Sequence, residues 1–387
     1  MEDKVKLNFL AGVQVEDNIY FSAWNMNGLF KYNPEQEQCD FLKIFPGEEN
    51  WGLHSEAILY KNTIWFIPRA SERIAIVDLF TLDITYLDLP EYGHRPEGHV
   101  PPIRMRGFYI NGENFLFLIP VAYKLFLKID MEKREIVNVE NWGGDEYARA
   151  VGVRIQDRLM IYINCCNEIR EMDLISGEYT IKKIKNKGII YAGIQKIGIN
   201  ILLFPIYLQD GIVLLNENND EIRVIQLDDD KQWYYEYQTF TKDNDLLLIP
   251  YEGTKGVRIS KKDSQYYIKE FKDLEVGEKA YCSTKIYYND AIWFLSHVLD
   301  NPIICYEKQK DSIQYFHIEI SKKKYNEDII KCISKYSIEY SPFSGMNTIY
   351  EFHFLLPDFL QSIEKQKHVG YSVADSQIGT CIYESIK

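Results

Sequence analysis

The sequence has no long hydrophobic run and none of the marks of a membrane or secreted protein. Its longest apolar stretches, residues 115–121 and 201–208, are too short to cross a bilayer as a helix. Residues 1–6 contain no cationic segment followed by an apolar core, so we expect no secretory signal. The sequence therefore predicts a cytoplasmic protein without a membrane span.

Cysteine is scarce and unpatterned. The chain has seven cysteines, an odd number, and no two of them have the Cys-x-x-Cys spacing of a redox or zinc motif. Cys165 and Cys166 are adjacent, and neighbouring cysteines seldom form a disulfide. We interpret the set as reduced thiols, as expected for a cytoplasmic protein.

Positive charge is in deficit, and the usual catalytic signatures are missing. The chain has 44 Lys and Arg against 57 Asp and Glu, a formal net charge of −13. Because a nucleic-acid footprint needs clustered Lys and Arg, we expect no nucleic-acid partner.

There is no Ser-His-Asp elbow, phosphate-binding glycine loop or dinucleotide fingerprint. Hydrophobic residues make up 46% of the chain, which excludes disorder throughout.

What the chain has in abundance is tyrosine, 29 residues in all, and a repeat. A short apolar run that ends in a proline or a small or polar residue recurs about every 45 residues. Self-similarity at such a period is typical of repeat architectures. The runs are residues 19–23, 64–68, 116–120, 160–164, 201–205, 246–250 and 292–296.

Two further markers keep phase with these runs. A pair or triplet with Asn, Asp, Gly, Lys or Gln precedes each run, and Asn, Asp and Gly tolerate the positive φ of tight hairpin turns. About ten residues after each run, a polar residue ends a second apolar segment. Each unit thus predicts strand a, a tight turn, strand b, a longer loop, strand c, a polar turn and strand d. The polar residues are Asn33, Asp78, Asp130, Asp173, Asn216, Ser260 and Glu307.

Four short antiparallel strands per unit resemble the blades of β-propeller proteins. The resemblance covers about residues 6–320 and implies an all-β, seven-bladed β-propeller, to which we assign residues 1–320. It is a resemblance of architecture, because the kelch Gly-Gly doublets, the WD-type pairs and the sialidase boxes are missing. No functional residue can therefore be transferred from those families.

Residues 321–387 do not continue the repeat, and we predict a mostly helical C-terminal extension that packs on the propeller. Residues 322–335 place apolar residues at helical spacing, and Asp358 is a candidate N-cap after Pro357. Such an extension would be a docking or oligomerisation element. In the alternative interpretation, residues 352–357 form the core strand of an eighth blade.

The predicted ligand site lies on one face of the ring. In an a-b-c-d blade, the b–c loops and the d–a connections share one face, here called the top face, and binding residues concentrate on such loops. Trp51, Trp142 and Trp233 fall in d–a connections at equal intervals. They are interpreted either as aromatic platforms for a ligand or as caps that seal the gaps between blades.

Arginines and further aromatics accompany these tryptophans. Several arginines next to the innermost strands would favour a carboxylate or phosphate ligand, bound bidentately. Alternatively, they pair with acids such as Glu56, Asp145 or Glu146. The additional predicted ligand-binding residues are Trp24, Arg69, Arg104, Arg106, Arg149 and Tyr191.

These features favour a non-enzymatic binding or scaffold protein whose top face holds a peptide, protein or glycan, with no cofactor. The alternative is a lyase, hydrolase or isomerase that acts on an anionic or sugar-like substrate at the mouth of the central channel. His54, His297 and Tyr281 are then the catalytic candidates, and only this alternative requires a divalent metal ion. His94 and His99 match no metal motif and are interpreted as ordinary loop histidines.

Overall fold

A computed structural model describes most of the first 330 residues. The described ranges are 4–24, 26–48, 52–90, 104–110, 112–121, 123–143, 148–185, 189–205, 211–216, 221–225, 237–241, 243–249, 256–262, 265–271, 282–296 and 301–330.

Seven four-stranded antiparallel sheets follow one another along the chain, and each corresponds to one predicted unit. The first four blades are β2 (Phe9–Val15), β3 (Asn18–Ala23), β4 (Leu29–Asn33) and β5 (Gln38–Lys43); β6 (His54–Tyr60), β7 (Thr63–Pro68), β8 (Arg73–Asp78) and β9 (Ile84–Asp88); β10 (Met105–Tyr109), β11 (Phe115–Pro120), β12 (Leu125–Asp130) and β13 (Glu135–Asn141); and β14 (Ala150–Ile155), β15 (Arg158–Ile163), β16 (Glu168–Asp173) and β17 (Tyr179–Lys183).

The remaining three blades have the same a-b-c-d order. They are β18 (Tyr191–Ile197), β19 (Asn200–Pro205), β20 (Ile212–Leu215) and β21 (Glu221–Ile225); β22 (Tyr237–Phe240), β23 (Leu246–Ile249), β24 (Gly256–Lys262) and β25 (Gln265–Phe271); and β26 (Cys282–Tyr288), β27 (Ala291–Ser296), β28 (Ile303–Glu307) and β29 (Ser312–Phe316).

The seven-bladed propeller predicted from the repeat is therefore confirmed. At five of the seven junctions the a strands of neighbouring blades contact one another, so the a strands are the innermost strands of the ring. The second prediction, a helical extension over 321–387, falls almost wholly outside the described residues, as does the eighth-blade alternative at 352–357. None of the helices in the described part of the chain is long and apolar enough to cross a membrane.

The apolar runs are the b strands, and both of their faces are buried. Along β7, Ile64 and Phe66 pack toward blade 1, while Trp65 and Ile67 pack toward blade 3. Successive side chains of a strand point to opposite faces, so a strand between two blades must be apolar at every position. This requirement explains why the b strands are continuous apolar runs rather than alternating ones.

In blades 1 to 4, the polar residue that ends the c strand caps the turn that follows it. Asp78 Oδ1 accepts hydrogen bonds of 2.9 Å from the backbone N–H groups of both Phe80 and Thr81. Asp173 makes the same pair of bonds to Ile175 and Ser176. These N–H donors lower the pKa of both aspartates, since they favour the charged carboxylate. Where the second marker of the repeat is aspartate, it is thus a turn-capping carboxylate.

Each of the first six junctions between consecutive blades holds an apolar cluster of described residues. The seventh junction, between blades 7 and 1, carries side-chain pairs. The Gln14 side chain exchanges two hydrogen bonds of 2.9 Å with Asn289, and the Tyr32 and Trp293 rings lie 6.2 Å apart.

A two-stranded ribbon also joins the two ends of the propeller. Strand β1 (Lys4–Leu7) pairs antiparallel with β30 (Ile318–Ser321), with Leu7 opposite Ile318. Helix α1 (Lys322–Lys324) follows, and the Lys324 ammonium lies 2.8 Å from Asp40 in blade 1. A π-helical segment covers Tyr325–Ile330. The ring is therefore closed by an extra ribbon rather than by a blade built from both chain ends.

The chain divides into two compact units, residues 1–326 and 327–387. The first unit contains all seven blades, the closing ribbon and α1. Of the second unit, only residues 327–330 are described.

Candidate binding site on the top face

A stacked arginine and tryptophan stand on the top face between blades 1 and 2. Trp24 begins the b–c loop of blade 1 and Arg69 begins that of blade 2. The Arg69 guanidinium carbon lies 4.3 Å from the centroid of the Trp24 ring, a cation–π geometry. The guanidinium is therefore held flat above an indole instead of sampling many rotamers.

Gly52 gives this stack the space that it needs. The residue has a φ of 60°, and a Cβ at this position would lie 2.8 Å from Trp24 Cζ3 and 3.1 Å from Arg69 Nη1. Both the backbone conformation and the close approach favour glycine. The carbonyl of the next residue, Leu53, accepts the backbone N–H of Arg69 at 2.7 Å, which fixes the loop that carries the arginine.

His54 is the first residue of β6 and follows Gly52 by two residues. Its side chain is fully buried, with Nδ1 hydrogen-bonded to Ser22 Oγ at 2.8 Å. The rings of Phe45 and Phe66 pack against the imidazole with centroids at 4.5 and 5.2 Å. Nε2 has no hydrogen-bond partner among the described residues. This apolar burial lowers the pKa of His54 from 6.5 to about 3.

The buried imidazole predicts a specific pH dependence of stability. A lowered folded-state pKa gives a stability contribution that is complete above 6.5 and is lost as the pH falls toward 3. Between pH 7 and pH 5 we expect wild type to lose about 2 kcal/mol relative to His54→Gln, whose amide does not titrate. Urea unfolding of both proteins at pH 5, 6 and 7 measures the difference. Parallel pH profiles would contradict the neutral, buried imidazole.

The inner strands of blades 2 and 3 carry an ion pair next to the central channel. Glu56 accepts a 2.8 Å hydrogen bond from the backbone N–H of Gly107, and its carboxylate lies 3.9 Å from Arg106 Nε. Burial raises the pKa of Glu56, although Arg106, the Gly107 N–H, Arg104 and Lys285 all act to lower it. The alternative that the arginines pair with acids therefore applies to Arg106.

Glu48 is a buried carboxylate in the connection between blades 1 and 2. Glu48 accepts hydrogen bonds from Ser71 Oγ at 2.9 Å and from the Nε and Nη2 atoms of Arg73 at 3.2 and 2.9 Å. The guanidinium of Arg73 in turn lies 3.9 Å from the centroid of the Tyr86 ring. This network ties the connection between blades 1 and 2 to strand β8.

Trp142 lies in the core between blades 3 and 4. Its side chain is 2% exposed and stacks on Phe126 at a centroid distance of 4.3 Å. The indole Nε1 donates to Glu140 at 3.0 Å, and the Arg170 guanidinium lies 4.4 Å from the ring. In this position the ring fills the junction between the two blades, and neither of its faces is exposed to solvent.

Tyr191 and Arg149 join blades 4 and 5. Tyr191 is 3% exposed and packs edge-on against Tyr162 at 5.1 Å. The amide of Asn164 donates to the Arg149 carbonyl at 2.7 Å and to the Tyr191 carbonyl at 3.1 Å. In the contacts described, Arg149 and Tyr191 therefore bind Asn164 through their backbone carbonyl groups, not through their side chains.

The other predicted residues cannot be placed. Trp51, Trp233 and His297 lie outside the described residues, as does Tyr281. The same holds for His94 and His99 and for the acids Asp145 and Glu146. Among the described residues, no group of three or more His, Cys, Asp or Glu is arranged to hold a metal ion.

Sequence reasoning missed Ser22, Gly52 and Glu48. For Ser22, the position in its strand is a signal that could have identified it. In blades 1, 2, 5 and 7 the a–b register shifts directly after the first residue pair, which marks a β-bulge at the top of strand a. His54 occupies that first position in blade 2, and Ser22 lies one residue before the end of the neighbouring b strand.

No protein-family model matches the chain, and no curated protein matches it by sequence. Several solved structures, in contrast, superpose on the chain. The virginiamycin B lyase of Staphylococcus aureus superposes with a TM-score of 0.55 at 13% identity, over 78% of this chain and 97% of the lyase. A streptogramin B lyase gives 0.52 at 12% identity, over 77% and 95%.

A third similar structure is PorZ, a bacterial surface component of the type-IX secretion system of Porphyromonas gingivalis. Its TM-score is 0.50 at 10% identity, over 82% of this chain and 39% of PorZ. Identities this low show the fold and nothing more. Together with the seven consecutive blades, they identify the chain as a seven-bladed β-propeller.

Proposed function

We propose that this propeller is a binding protein whose top face, at the junction of blades 1 and 2, holds a carboxylate-bearing peptide segment. The observation that carries the proposal is the Arg69 guanidinium stacked on Trp24 beside Gly52. Arginine presents its donors in a rigid plane that matches a carboxylate bidentately. Because the stack already orders the side chain, a ligand loses less conformational entropy on binding it.

The charge of the protein supports an anionic ligand at this place. The chain as a whole has a net charge of −13, so an arginine on the top face is a local exception to the surrounding acidity. The acidic remainder of the chain would disfavour binding of acidic proteins elsewhere on the surface.

The geometry of His54 supports binding rather than catalysis at this junction. A general acid or base must come within hydrogen-bond reach of its substrate, and the His54 side chain is fully buried between two phenylalanines. Its bond to Ser22 joins the inner strand of blade 2 to blade 1. In this proposal His54 is a positioning residue for the loops above it.

The proposal is tested with a synthetic octapeptide of glutamate, titrated against the purified protein and compared with an octapeptide of glutamine. We expect Arg69→Gln to weaken binding of the glutamate peptide about 10- to 100-fold, because a charge-assisted bidentate contact is lost. Isothermal titration at low and physiological salt measures the dissociation constants.

Arg158→Gln is the matched control, since Arg158 is exposed at the start of β15, next to the a–b turn on the opposite face, and pairs with Glu171. It should bind like wild type. Equal binding of both peptides, or equal weakening by both substitutions, would refute the proposal. Binding of an acidic oligosaccharide in place of the peptide would refute the peptide ligand and retain the anion site.

A further inference from the structure

Two adjacent thiols project from the top face of blade 4. Cys165 and Cys166 occupy the four-residue turn between β15 and β16, and both are exposed. Their sulfur atoms lie 3.6 Å apart. Cys39 and Cys305, by contrast, are buried. The pair is remote from the Arg69 stack, and the proposed peptide site does not use it.

The turn that carries the two thiols is held by hydrogen bonds on both sides. Asn164 bonds to the backbone of Arg149 and Tyr191, and Asn167 accepts from the Tyr162 hydroxyl at 3.1 Å. The Cys165 thiol lies 3.3 Å from the carbonyl oxygen of Trp142. Both thiols therefore face the same side of the turn.

A direct disulfide between the two residues is strained. Consecutive Cα atoms across a trans peptide lie about 3.8 Å apart, whereas disulfides need a Cα separation of about 4.4–6.8 Å. An atom placed between the two sulfurs meets no such difficulty. Two sulfurs bound at about 2.3 Å to one three-coordinate pyramidal centre, with an angle of about 100° between the bonds, lie about 3.5 Å apart, close to the observed 3.6 Å.

We propose that Cys165 and Cys166 form a dithiol site for a trivalent arsenical, which takes two sulfurs from one side. With an arsenoxide R–As=O, the two S–H bonds break and two As–S bonds form. The oxygen leaves with both protons as one water molecule, and no atom changes oxidation state. The reaction needs no oxidant, reductant or second protein ligand.

The state of the thiols suits this condensation. Burial, followed by the neighbouring Cys166 thiol, raises the pKa of Cys165 to about 11, so its sulfur stays protonated at neutral pH. A protonated thiol is a weak nucleophile toward one-site alkylating reagents. Condensation with an arsenoxide consumes the thiol protons, and the second As–S bond closes a ring that a single thiol cannot form.

The test uses the full chain, phenylarsine oxide as the probe and a large excess of 2-mercaptoethanol as the competitor. We expect intact-mass spectrometry to show one retained phenylarsenic group on wild type, released by a dithiol. Cys165→Ser and Cys166→Ser should each reduce the monothiol concentration needed for half-release at least about 10-fold. Both positions are exposed, and circular dichroism verifies that the variants fold.

Cys39→Ser is the matched control and should retain the group like wild type. Peptide mapping after iodoacetamide treatment at alkaline pH in denaturant, where the free protein is alkylated at both positions, should show Cys165 and Cys166 protected together in the adduct. Retention of the phenylarsenic group in either serine variant would overturn the proposal, because other cysteines would then hold it. So would a Cys165–Cys166 disulfide in the isolated protein, or release by monothiol as easily from wild type as from the variants.

Discussion

Replacement of Trp142 by alanine is expected to lower the free energy of unfolding by about 3–5 kcal/mol, the range for large aromatic deletions in cores. The ring is 2% exposed and lies between Phe126 and the Arg170 guanidinium. Its removal opens a cavity between blades 3 and 4 and withdraws the indole N–H from Glu140. Equilibrium unfolding in guanidinium chloride measures the loss.

Phe80→Ala is the matched control, because Phe80 is an aromatic residue that is 80% exposed in the c–d turn of blade 2. It should change the free energy of unfolding by less than about 0.5 kcal/mol. A Trp142→Ala protein as stable as this control, yet deficient in peptide binding, would restore Trp142 as a ligand platform.

Replacement of Ile318 by aspartate is expected to destabilise the propeller by about 4 kcal/mol or more, by opening the closing ribbon. Ile318 is 1% exposed and pairs with Leu7 across β1 and β30. A carboxylate there would be buried without a partner, which is among the most costly single changes in a protein. Hydrogen exchange should rise first in blades 1 and 7.

Glu319→Gln is the control on the neighbouring residue, because this side chain faces the other side of β30 and its ion pair with Lys4, at 3.6 Å, is exposed. It should leave stability within about 0.5 kcal/mol of wild type. Uniform exchange in all blades of the Ile318→Asp protein would show that the ribbon does not define the weak junction.

The fold was predictable because its signals are local and repeated. A b strand between two blades must be apolar at every position, as Ile64–Ile67 illustrate, and each c strand must end in a turn former such as Asp78. Both demands act within a few residues of chain. Seven copies in phase therefore specify the blades, their number and their turns.

The site and the ring closure were less predictable because they depend on distant residues. Trp24, Gly52 and Arg69 meet across two blades, and the sequence gives no sign that Gly52 faces the indole. Regular spacing grouped Trp142 with Trp51, although packing against Phe126 determines its orientation. The pairing of β1 with β30 joins opposite ends of the chain, and no local pattern encodes it.

The closing ribbon also bears on how the chain reaches its native state. Every blade is one continuous stretch of sequence, so each can form from local contacts while the ribosome is still adding the next. Among the described residues, in contrast, the partner of β1 is the last strand to be synthesised. Residues 4–7 must therefore wait unpaired until all seven blades have been made, and completion of the ring becomes the final step of folding.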